Sequence, residues 1–100
     1  MTTSTETLTF EKVIAEHAET LNYLLDQDDV TTLTPAEFIE ALEDASIEFS
    51  DSFESTNQHN GTVFTAAAVL LTNALALPTD HPDTQVLLQR ASAQLIDAEI

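Results

Sequence analysis

The stretch TPAEFIEALEDASIEFSDSFE, residues 34–54, decides how this chain folds. It opens as a helix start. Thr34 is placed to cap, Pro35 suits the first helical position, and Glu37 stands where its carboxylate reaches back to close a capping box. On a wheel of about 100° per residue, Phe38, Leu42, Ala45, Phe49 and Phe53 fall on one side. Glu37, Glu40, Glu43, Asp44, Glu48, Asp51 and Glu54 fall on the other, strung along roughly 25 Å of helix axis. One face wants a core and the opposite face is strongly negative. Such a helix needs other helices to cover its apolar side.

Working outward, the preceding segment from Thr9 to Gln27 repeats the pattern. Phe10, Val13, Ile14, His17, Leu21, Leu24 and Leu25 recur at three- and four-residue spacing and predict one apolar face. Asp28 and Asp29 oppose the dipole at its end, so the helix should stop there. Residues 1–8 read as a flexible, Thr-rich tail, and 9–100 as a single helical domain. Downstream, Ser55 to Thr62 is polar, holds the one glycine, and reads as a loop around Asn60-Gly61. A third helix is expected from about Val63 to Leu77, ended by Pro78. No Asp, Glu, Lys or Arg occurs between Ser55 and Thr79, so this helix should be central or form one face of a dimer, with Leu71, Leu75 and Leu77 as contacts. A fourth helix follows, with Asp80 as candidate cap, Asp83 at the reciprocal position and Pro82 in the first turn. Leu87, Leu88, Ala91, Leu95 and Ala98 supply its stripe. Common Ala, Leu and Glu, scarce Gly and Pro, and short connections predict an all-α, compact four-helix bundle-like domain.

The charge balance narrows function. Eighteen acidic residues face two basic ones, Lys12 and Arg90, for a net charge of -16. Such a surface repels nucleic acid and anionic membranes and attracts basic proteins. No direct nucleic-acid binding and no membrane association are expected. Cysteine is absent, which excludes disulfides, thiol chemistry and zinc fingers. The amino terminus, MTTSTETLTF, lacks a basic region and an apolar run, so a cytoplasmic location is the simplest expectation.

Fourteen of the eighteen acids fall before residue 55. The first helix adds Glu16, Glu19 and Asp26 on its polar side. Tyr23 projects among those acids, and Ile47 projects from the middle of the acidic arc, opposite the core stripe. Charges steer a partner and desolvated anchors hold it. DNA carries one phosphate per about 1.7 Å of axis, and two acidic helices side by side approach that density. The expected function is therefore binding a basic, nucleic-acid-binding protein by imitating a nucleic-acid backbone, as a DNA-mimic inhibitor that competes for its site. The candidate partner-binding residues are Glu16, Glu19, Tyr23, Asp26, Glu37, Glu40, Glu43, Asp44, Ile47, Glu48, Asp51 and Glu54. Two alternatives account for the same charge. One is an acidic helical protein that dimerises or assembles. The other is adaptation to a salty cytosol, which should spread acids over every exposed face.

No arrangement points to catalysis. Residues 26–38 partly resemble the calcium loop of EF-hand proteins: Asp26, Asp28, Thr34 and Glu37 match loop positions one, three, nine and twelve, and Leu33 the apolar eighth. Val30 offers no oxygen at position five, and Thr31 stands where the turn needs glycine. A helix end, a turn and a capping box account for the same residues. His17, His59 and His81 have no metal-ligand spacing. There is no phosphate loop, nucleophile elbow or His-Glu-x-x-His pair. The expectation is a binding protein, not an enzyme, with no cofactor and no metal.

Overall fold

The chain packs as α1 Phe10–Glu16, α2 Ala18–Leu24, a 3-10 turn Val30–Thr32, α3 Pro35–Ser50, α4 Ser55–Leu75 and α5 Pro82–Ile96. This computed structural model describes residues 8–99, so the expected tail lies outside the described residues apart from Leu8. The class is all-α, as the composition implies. Helices α1 and α2 together fill the first of the four anticipated segments.

The capping box at α3 forms as the sequence dictates. The Glu37 N–H donates to Thr34 Oγ1 at 3.2 Å, and the Thr34 N–H donates to Glu37 Oε1 at 2.9 Å, with Pro35 in the first turn. From there Phe38, Leu42 and Ala45 enter the core, joined by Ile39 and Ser46. Phe49 stacks at a tilt on Phe64 of α4, ring centroids 5.7 Å apart.

Three expectations are corrected here. First, residues 55–62 are not a loop. They are the first turns of α4, and Asn60 and Gly61 are buried in the helix. Gly61 sits where α4 passes the end of α3, close enough that even a methyl group would press on Ser50 and Ser46. Second, Phe53 does not continue the apolar stripe. α3 ends at Ser50, and Phe53 stands fully exposed in the turn to α4. The turn is organised by Ser52, whose hydroxyl accepts from the Glu54 N–H and from Asn57 Nδ2. Third, the last helix is capped by His81, not Asp80. His81 Nδ1 accepts from the Asp83 N–H at 3.0 Å, with Pro82 between them.

α4 lies between α3 and α5 and supplies most of the core: Val63, Phe64, Ala67, Ala68, Leu71 and Ala74 are buried. Leu71 is wholly internal, so it is unavailable for the dimer contact expected of it; Leu75 is exposed and Leu77 half-buried. α5 contributes Leu88, Ala91 and Leu95. α1 and α2 bring Val13, Ile14, Leu21 and Leu25 over this three-helix unit. The helical run breaks at His17, whose Nε2 lies 2.9 Å from Ser92 Oγ on α5.

Two polar ties close the ends. Leu8 is not free tail: its N–H donates to Gln85 Oε1 at 2.9 Å and its carbonyl accepts from Gln85 Nε2 at 2.7 Å. At the other end, the Asn60 side-chain amide pairs with the Glu99 backbone, donating to its carbonyl at 2.6 Å and accepting its N–H at 2.8 Å. His59 Nε2 donates to the Asp97 carbonyl at 2.8 Å. The radius of gyration is 13.4 Å, as expected for a compact chain of this length.

Candidate acidic binding face

α3 is a regular helix of 16 residues that turns one side to the core and the other to solvent. Glu37, Glu40, Glu43, Asp44 and Glu48 are all exposed on that outer side. Glu37 is engaged in the capping box. The carboxylates of Glu40, Glu43, Asp44 and Glu48 make no hydrogen bond or ion pair among the described residues, so their charge faces water. Carboxylates at three- and four-residue spacing on one helix repel each other by a few tenths of a kcal/mol per pair.

Asp51 and Glu54 are exposed but leave the helix face. Asp51 is the C-cap of α3, and Glu54 is the N-cap of α4, where its charge favours the helix dipole. They extend the acidic surface around the corner of the hairpin.

Of the acids on the first segment, Asp26 is the one brought alongside α3. It lines a shallow cleft of about 200 Å³ with Asp44 and Glu48. The reason is local. α2 ends in a Schellman turn, with the Gln27 N–H donating to the Asn22 carbonyl and the Asp26 N–H to the Tyr23 carbonyl. Asp26 takes the left-handed position of that turn, φ 55°, which glycine usually fills. Glu16 and Glu19 are exposed on α1 and α2 and do not line this cleft.

Both side chains expected to project from the acidic surface are exposed. Ile47 is 65% exposed in the middle of the α3 acids, and Tyr23 is 70% exposed on α2. α3 runs on through Ser46, whose hydroxyl donates to the Glu43 carbonyl, and no kink turns Ile47 inward. Phe53 is a second exposed ring, flanked by Asp51 and Glu54, which the wheel assigned to the core. Ser52 was the available signal, since a serine hydroxyl bonds nearby backbone groups and so favours turns.

The EF-hand likeness dissolves in the geometry. Asp29 caps the 3-10 turn by accepting from the Thr31 N–H at 3.0 Å and from its hydroxyl. These bonds hold its carboxyl below the usual carboxylate range. The bonds to Thr34 do the same for Glu37. No group of three or more His, Asp or Glu among the described residues is placed to hold a metal.

The chain is an all-α bundle with one strongly acidic side, and no described helix is long and apolar enough to cross a membrane. No protein-family model, curated protein or solved structure matches it.

Proposed function

We propose that the outer face of α3, with Asp26 beside it, binds a basic protein at the site where that protein holds a nucleic-acid backbone. The supporting observation is the pairing of unpartnered carboxylates with an exposed apolar residue at their centre, Ile47. Charge brings the partner in and Ile47 is desolvated on contact. Uneven distribution favours this reading over general salt adaptation. The exposed positions of α4 carry no acid, and those of α5 carry only Asp83 within the helix, while α3 carries five. The mechanism is competition, with no chemical step.

The test is affinity capture from the native host lysate at about 0.15 M salt, where exposed charges more than about 8 Å apart are largely screened. A nucleic-acid-binding protein that is retained, released by excess duplex DNA, and retained less by Ile47→Asp is the expected result. Capture that DNA leaves unchanged overturns the reading.

A second reading rests on α4. Its exposed side, including Thr62, Thr65, Val69 and Thr72, carries no Asp, Glu, Lys or Arg. The hydroxyls of Thr62 and Thr65 donate to carbonyls of their own helix, which satisfies them without a partner molecule. That face suits self-association in a chain that otherwise repels its copies. Sedimentation at neutral pH decides it: a monomer mass at every concentration rules it out.

A further inference from the structure

At the end of the bundle away from the α3–α4 hairpin lies a groove of about 700 Å³, between the segment before α1, the start of α3, the end of α4 and the start of α5. Its apolar lining includes Leu8, Phe10, Leu75, Leu77 and Leu88. Leu75 is 47% exposed, a large apolar side chain that the core does not use. The volume falls within the range of small-molecule sites, roughly 300–1,000 Å³.

The walls are held in place before any ligand arrives. Gln85 grips both backbone groups of Leu8, as described above. The Thr84 hydroxyl donates to the Pro78 carbonyl at 2.8 Å, which fixes the α4–α5 connection. His81 spends Nδ1 on the first turn of α5. A preformed apolar site loses little ordering entropy on binding.

The charged carboxylates that line it are Glu11 and Asp80, and no lysine or arginine does. The whole chain adds a net charge of -16. This field opposes an anionic amphiphile and favours a cationic head near an apolar body. We infer that the groove binds a small hydrophobic organic cation, its apolar body against Leu75, Phe10 and Leu88 and its ammonium near Glu11 and Asp80. The site is separate from the acidic face of α3 and does not depend on the function proposed for it.

A matched series tests this: 4-phenylbutylammonium, 4-phenylbutanol and 4-phenylbutyrate, titrated into the full chain and followed by amide and methyl NMR shifts. The expected result is shifts centred on Phe10, Leu75 and Leu88, with affinity falling from ammonium to alcohol to carboxylate. The double variant Glu11→Gln, Asp80→Asn should erase most of the ammonium's preference over the alcohol, a change of about fivefold for two exposed charge contacts. Leu75→Trp, at a part-exposed position that tolerates bulk, should fill the groove and weaken all three ligands. Shifts spread over Tyr23 and Ile47 instead, equal binding of the carboxylate, or no binding at millimolar concentration would each overturn the inference.

Discussion

A methyl group on Gly61 would lie 2.6 Å from Ser50 Oγ, 3.0 Å from the Ser50 nitrogen and 3.2 Å from the Ser46 carbonyl oxygen. The hydroxyl can swing away, but the two backbone atoms can yield only if α3 shifts from α4 by a few tenths of an ångström. Gly61→Ala gains up to about 1 kcal/mol of helix propensity. It pays overpacking of about 1–3 kcal/mol, which wins. Urea unfolding should show a net loss of about 1–2 kcal/mol, and adding Ser50→Ala should recover only part of it. A Gly61→Ala protein as stable as the parent would mean that the helices separate freely. Asn60 works at the same scale. Its amide is the buried partner of both Glu99 backbone groups. Asn60→Ala should therefore release the segment after α5, seen as faster hydrogen exchange at the Glu99 amide with the α3 amides unchanged.

Among the elements, α2 ends under strain. Asp26 adopts a left-handed backbone at φ 55° and also sets a negative charge at a helix C-terminus. Asp26→Gly relieves both, offset by the larger backbone entropy of glycine in the unfolded chain. A net gain of about 0.5–1 kcal/mol is expected in thermal or urea unfolding. If the variant is less stable, the Asp26 side chain is holding the cleft beside Asp44 and Glu48 rather than merely lining it. The start of α3 was legible because a capping box is local: Thr34, Pro35 and Glu37 meet whatever the rest of the chain does. The end of α3 was less so. The wheel carries Phe53 onto the apolar stripe only while the helix continues, and Ser52 stops it first.

At the scale of the whole molecule, electrostatics sets how stability responds to solution conditions. With a net charge of -16 and acids crowded on α3, folding works against like-charge repulsion. Raising NaCl from about 0.01 M to about 0.5 M shortens the screening length severalfold. The melting temperature should rise by several degrees, and a flat response would mean that the acids are far enough apart not to matter. Near neutral pH, mild acid acts on His17. Half-burial lowers its pKa below 6.5, with the neighbouring Glu16 charge pulling the other way. The unfolded chain therefore takes up a proton that the folded chain resists. The contribution of His17 is complete above about pH 6.5 and is lost as pH falls from there toward its folded pKa. His17→Gln should flatten that part of the stability profile; an unchanged slope would place the loss elsewhere.

Local chemistry written in the sequence was enough for the helical class, the start of α3, the acidic outer face and the outward projection of Ile47 and Tyr23. Each depends on neighbours within one or two turns, where helix period and capping decide the outcome. The tertiary structure alone decided the rest. A glycine inside a polar run reads as a loop, because in an isolated helix it costs about 1 kcal/mol. Against α3 it is the one residue that allows close packing, and so residues 55–62 are helix. The break at His17, the clamp of Asn60 on Glu99, and the groove walled by Leu8 and Gln85 all join residues far apart in the chain, and no periodicity along the chain encodes them.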